Sequence, residues 1–250
     1  MYNYTLYNRV NECCEKNKLL INGKDKLLYT RLVANTSAIN RLFTELYGDH
    51  PAKETAFDAL LQTIIDAHKE RPASLLQKDH SKEVKANWFL SNEITGMSLY
   101  VDRFCGNLKN MPAKLDYFEK LGVNFLHLMP VFQSPEGESD GGYAVSDFRK
   151  TDERFGTLND LQLLQQQMQL KNMYLMIDIV LNHTSHKHEW AEKAKKGDTI
   201  YQDYFYMYDN RDLPDQLDKT MPDIVQIPLV MMKNCHHPFI TFFYISKITW

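Results

Sequence analysis

The chain has 250 residues, 44% of them hydrophobic and 24% charged, enough for one large domain or two smaller ones. Its formal net charge of −3 argues against a nucleic-acid or anionic-membrane partner, and no window approaches the roughly 20 apolar residues that span a bilayer. Cys13, Cys14, Cys105 and Cys235 form no C-x-x-C pair and are too sparse for a disulfide scaffold. The N-terminus shows no basic-then-apolar leader, so the expectation is a soluble, cytoplasmic protein.

Residues 1–90 are expected to form a helical N-terminal region. Leu32, Thr36, Ile39, Phe43 and Leu46 recur at helical spacing, with Gly48 and Pro51 closing the segment. Phe57, Leu60, Leu61, Ile64, Ile65 and His68 make a second stripe that ends near Pro72. Such stripes normally pack helices against one another.

The period changes after Trp88. Residues 96–101 read as a short apolar strand, and residues 110–122 as a helix with Pro112 near its start and Gly122 past its end. Residues 123–130 read as a second strand. Thr157 and Asp160 form a capping-box-like pair that opens a helix with an apolar face of Leu158, Leu161, Leu164 and Met168. Residues 174–181 make a third strand, apolar nearly throughout. Strands and helices alternating in this way predict an α/β fold with a parallel sheet covered by helices.

An acid within an apolar strand is costly unless it is paired, so Asp178 requires a partner at the strand's end. The segment Asp178-Ile-Val-Leu-Asn182-His183 resembles the D-x-x-x-N-H signature of the alpha-amylase family. Further likenesses arrive in that family's order: Tyr100-Val-Asp-Arg-Phe104, Leu126-His-Leu-Met-Pro130, Gly141-Gly-Tyr143-Ala-Val-Ser-Asp147 and Phe155-Gly-Thr-Leu-Asn-Asp160-Leu161. The run from Leu126 to Ser146, the helical leader, Asn182 to Trp190 and Tyr204 to Asp215 are most similar to the amylosucrases. The resemblance extends to about residue 224. It implies a partial TIM (β/α)8 barrel, the first three β/α units spanning residues 91–183, followed by the start of a loop domain over residues 184–224.

The resemblance also implies roles. Asp140 matches an acid that closes the pocket floor behind a glucosyl ring, Tyr143 an aromatic that stacks on that ring, and His183 a histidine that hydrogen-bonds it. Asp178 and Asn182 match residues that hold the site's shape. The substrate implied is sucrose, an α-glucan or a related α-glucoside, with no cofactor. Retaining glucosyl transfer needs two carboxyl groups about 5–5.5 Å apart. In the family these lie on later R-x-D and Glu motifs, and neither is found here, so catalytic residues are expected to be absent and the chain inactive.

Residues 225–250 contain no Asp or Glu and include the run Phe239 to Ile245; they are read as an anomalous, frameshifted tail ending in a premature stop. A barrel stopped at three strands would leave an open edge and poor solubility. His183, His186 and His188, with Cys235-His236-His237, offer zinc-ligand types but no common zinc spacing, so no metal is expected. The aromatic run Tyr201, Tyr204, Phe205, Tyr206 and Tyr208 reads as loop packing in preference to a sugar platform. Lys193, Lys195 and Lys196, beside Glu189 and Glu192, read as a solvated helix face.

Overall fold

The computed structural model describes residues 4–84, 87–137, 139–181, 183–210, 212, 215–216, 229–231 and 239–241; residue 140 and the last two segments are described as backbone only. The described residues divide into two compact units, the first up to residue 88 and the second from residue 89 onward.

The first unit is helical: α1 (Tyr4–Lys16), α2 (Lys26–Tyr47), α3 (Lys53–Glu70) and α4 (Ala73–Val84). The two apolar stripes meet as expected from their spacing. Leu32 of α2 and Phe57, Leu61 and Ile65 of α3 are buried together with Leu6, Val10 and Cys14 of α1, while Ile39, Phe43, Leu60 and Ile64 pack at the margin. Each such side chain contributes about 1.5–3 kcal/mol on burial. At the entry to α2, Asp25 is buried and accepts hydrogen bonds from the Leu20 amide (2.8 Å) and from His68 Nε2 (3.0 Å).

The second unit begins with β1 (Gly96–Leu99), the short helix α5 (Val101–Cys105), α6 (Leu115–Lys120), β2 (Phe125–Leu128), the antiparallel pair β3 (Phe132–Gln133) and β4 (Asp147–Thr151), α7 (Leu158–Leu170) and β5 (Tyr174–Ile177). Strands β1, β2 and β5 form a parallel sheet in that order, Ser98 opposite His127 and His127 opposite Met176. The predicted strands are present but shorter. Val101 already starts α5, and the predicted 110–122 helix is two 3-10 turns leading into α6. The capping box is present in full: the Thr157 hydroxyl accepts from the Asp160 amide, and the Asp160 carboxylate accepts from the Thr157 amide.

Alternation along the strands assigns two different faces. Leu99, Leu126 and Leu128 are buried with Phe118, Leu164 and Met168, and Met97, Leu175 and Ile177 pack on the same cluster. The other face carries Ser98, His127 and Met176, and Met176 is 42% exposed. Helices cover one side of the sheet, as the alternation of strands and helices predicts; among the described residues the other side is the more open one, with Ser98 and Met176 exposed.

After β5 come α8 (Glu189–Lys195), α9 (Thr199–Gln202), and β6 (Met207–Tyr208), which pairs antiparallel with β8 (Phe239–Thr241), itself paired with β7 (Leu229–Met231). Phe205, Ala191 and Ala194 form a small buried cluster flanked by Trp190, Tyr201 and Met207. The aromatic run therefore packs locally, Tyr204 against Trp190 and Tyr201, and Tyr206 against Tyr208. Lys193 and Lys195 pair with Glu189 and Glu192. Of the tail read as anomalous, β7 and β8 are described as backbone and the rest lies outside the described residues. Among the described residues no helix is long and apolar enough to cross a membrane.

Candidate active site

The sequence requires a partner for Asp178, and the fold provides two. Asp178 directly follows β5, and residue alternation puts it on the same sheet face as Met176, the neighbour of His127 in the register. His127 Nε2 donates to Asp178 Oδ1 at 2.8 Å, and the other ring nitrogen, Nδ1, lies 3.0 Å from the Ser98 hydroxyl. One polar line thus crosses all three parallel strands at their carboxyl ends. The second partner comes from the β3–β4 loop, where the Tyr143 hydroxyl donates to Asp178 Oδ2 at 3.1 Å.

His183, five residues beyond Asp178, turns back over the same loop, and its Nε2 donates to the Tyr143 carbonyl at 3.1 Å. Tyr143 is therefore held at both ends, by its hydroxyl and by its carbonyl, and it is still 37% exposed. Burial, then the hydrogen bond from the phenol to Asp178 and the charge of that carboxylate, push the Tyr143 phenol above its ordinary value. Burial holds the His183 imidazole below its usual range, with the Tyr143 carbonyl partly opposing it; a neutral ring at neutral pH follows.

The loop that presents Tyr143 is shaped by its glycines and anchored at its base. Gly141 has φ +61° and ψ +12°, and a Cβ there would stand 2.9 Å from the Tyr100 hydroxyl. Backbone approach to Tyr100, at the end of β1, needs a residue without a side chain. At the base, Ser146 donates its amide to the Gln133 carbonyl at 2.7 Å. Asp152, buried at 4% exposure, accepts from the Ser134 amide and hydroxyl and from Arg154 Nε (2.8 Å) and Nη2 (2.7 Å). Burial works against its charge, but the Arg154 and Ser134 bonds prevail and keep the carboxyl below the usual range.

Of the residues singled out from the sequence, the structure brings Asp178, Tyr143 and His183 into one hydrogen-bonded group. Asp140 lies in the turn Asp140–Gly142, and its side chain is outside the described set. Asn182 lies outside the described residues. Sequence reasoning missed His127 and Ser98. The signal was available for His127: a lone imidazole inside the apolar run Phe125–Leu128, one strand away from an acid that needed a donor. Among the described residues, no three His, Cys, Asp or Glu side chains converge as a metal set. His188 serves instead as the N-cap of α8, its Nδ1 accepting from the Trp190 amide at 3.1 Å.

A parallel β/α sheet with its polar cluster gathered at the strands' carboxyl ends defines a β/α protein whose site lies where such sheets hold their ligands. Residues 72–226 match the alpha amylase catalytic domain, and the chain belongs to the alpha-amylase family. Over 101 residues it is 43% identical to an oligo-1,6-glucosidase of Bacillus cereus, a match that covers 40% of this chain and 18% of that enzyme. Over 126 residues it is 36% identical to an alpha-glucosidase of Schizosaccharomyces pombe, covering 48% of this chain and 21% of the relative. A crystal structure of a mutant isomaltulose synthase from Erwinia rhapontici NX5, in complex with its natural substrate sucrose, is 34% identical and covers 48% of this chain and 22% of that one, with a TM-score of 0.44. The chain spans about a fifth of the length of these curated relatives.

Proposed function

We propose that the group formed by Asp178, His127, Tyr143 and His183 is the glucosyl-binding part of an α-glucoside-processing site of the retaining type, working in the cytoplasm. The three parallel strands are, in this reading, the first three of a (β/α)8 barrel. The observation that supports it most is the double fixation of Tyr143. Its hydroxyl is held by Asp178 and its backbone carbonyl by His183, while the residue stays 37% exposed, which suits a flat face that meets the C–H surface of a sugar. His183, neutral and half-buried, and Asp178 supply hydrogen-bonding groups for the hydroxyls around such a ring. Asp140, in the same loop, would close the floor, and Asn182 would support the turn that carries His183.

The substrate reading is sucrose or a related α-glucoside, with transfer to a glucan or to water. The narrower amylosucrase-like reading rests on the likeness of Leu126 to Ser146 and of the helical leader; the similarity to the Bacillus cereus oligo-1,6-glucosidase supports α-1,6-linked glucosides as the second substrate class. Glucosyl transfer by retention needs a nucleophile and an acid/base carboxyl. No residue of this group fills either role, and the 250-residue polypeptide on its own is proposed to bind a glucosyl unit without turning it over.

Titration of the 250-residue chain with sucrose, isomaltose and glucose, followed by ligand-observed saturation-transfer NMR, tests this. Binding that Tyr143→Ala and His183→Ala each abolish is the expected result, and sucrose binding ahead of isomaltose favours the amylosucrase-like substrate. Sugar binding that survives both substitutions, or its absence from the parent chain, overturns the reading. Release of fructose from sucrose by this polypeptide would overturn the inactivity.

A further inference from the structure

The first unit holds a cavity of about 380 Å³, lined by the start of α2, the end of α3 and one side of α4. That volume is within the range of about 300–1,000 Å³ that small-molecule sites occupy. Its lining is divided by chemistry. Leu27, Leu28 and Leu76 give an apolar floor, while Lys24, Arg31 and Arg71 bring three cations against one acid, Asp79, a formal balance of +2 before His68 and His80 are counted.

The cations differ in how they are held. Arg71 is fixed by two bonds to Asp79, Nε at 2.5 Å and Nη2 at 2.9 Å. Among the described residues Arg31 approaches an acid at Glu83, 3.9 Å away, beyond hydrogen-bond distance, which leaves guanidinium donors for a ligand. Lys24, exposed and directly before the buried Asp25, also lines the cavity. Asp25 sits at the N-cap of the 22-residue helix α2 but makes no side-chain cap; its carboxylate is committed to Leu20 and His68. The first turn of α2, whose Leu27 and Leu28 line the cavity, therefore keeps amides that no side chain caps, with the Asp25 carboxylate beside them. His68, held by Asp25, forms part of the wall.

We propose that this cavity binds a phosphomonoester with a compact apolar body. The phosphate would lie between Arg31, Lys24 and the first turn of α2, where a planar guanidinium and a mobile ammonium can share its oxygens. The apolar body would rest on Leu28 and Leu76. This site is separate from the Tyr143 group and does not depend on the glucosyl reading.

The probe is phenyl phosphate, titrated calorimetrically into the full 250-residue chain at constant ionic strength, with inorganic phosphate and phenol as comparison ligands. Phenyl phosphate is expected to bind saturably and more tightly than either comparison ligand. Arg31→Ala and Lys24→Ala are each expected to weaken it on the order of tenfold, the loss of one charge-assisted hydrogen bond. Leu76→Gln is expected to erase the advantage over inorganic phosphate, and Tyr143→Ala to change nothing. Lys24 and Arg31 are exposed, so far-UV circular dichroism of their variants should match the parent. No saturable binding, unchanged affinity in the two cation variants, or equal affinity for phenyl phosphate and inorganic phosphate overturns the proposal.

Discussion

Replacing Asp178 by alanine and by asparagine separates two effects that a single substitution would mix. Asp178→Ala leaves the His127 Nε2 proton and the Tyr143 hydroxyl without their acceptor. A hydrogen bond to a charged group contributes about 1.5–3 kcal/mol. The Asp178 side chain is 26% exposed, so water replaces part of what is lost, and halving each bond gives about 1.5–3 kcal/mol for the pair. At roughly 2–4 °C per kcal/mol for a unit of this size, Tm should fall by about 3–12 °C.

Asp178→Asn should behave differently because the line continues to Ser98. In the orientation in which the amide oxygen accepts from Tyr143, the amide nitrogen donates to His127 Nε2. That forces the imidazole proton onto Nδ1, and the Ser98 hydroxyl, 3.0 Å away, is placed to accept it. The asparagine variant should therefore lose less than about 1 kcal/mol, with its 15N imidazole shifts reporting the exchanged tautomer. Thermal unfolding followed by near-ultraviolet circular dichroism gives the stabilities. Equal losses in the two variants would refute the relay from Ser98 to Tyr143.

His188 gives a prediction in pH. Burial is the largest influence on it and holds the imidazole below its ordinary 6.5, with Asp147 and Glu189 opposing. The unfolded chain then takes up the proton more readily, so stability is complete above about pH 6.5 and falls as the pH drops below it. His188→Asn keeps a capping acceptor that does not titrate, and urea midpoints compared at about pH 7.5 and about pH 5.5 should show a smaller decline than in the parent. Thr157→Ala removes the acceptor for the Asp160 amide and should cost about 1 kcal/mol in the same urea assay; no change would mean that the capping box does not hold the start of α7. Gly141→Ala puts a Cβ 2.9 Å from the Tyr100 hydroxyl in a left-handed conformation, which costs about 1–2 kcal/mol. Sugar binding measured by saturation-transfer NMR should weaken with it, and binding equal to the parent's would show that the loop tolerates the side chain.

Local interactions were legible in the chain. The helical stripes of α2 and α3 and the Thr157–Asp160 capping pair join residues three or four apart, so spacing alone specifies them. The ordered motifs from Tyr100 to His183 were enough to indicate the family. The need of Asp178 for a partner also followed from the sequence, because an acid at the end of an apolar strand has no local donor. Which partner it takes was a tertiary matter. His127 lies 51 positions away in the chain and Tyr143 35 away, and both reach Asp178 only because parallel register sets β2 beside β5 and the β3–β4 loop folds over their ends. The strand ends were misplaced for a related reason: residues 100–101 and 179–181 are apolar enough to extend a strand, but pairing with the neighbours stops after Leu99, Leu128 and Ile177. Spacing can report contacts made along one element, whereas a site assembled from three strands and a loop depends on register, which only the packed fold sets.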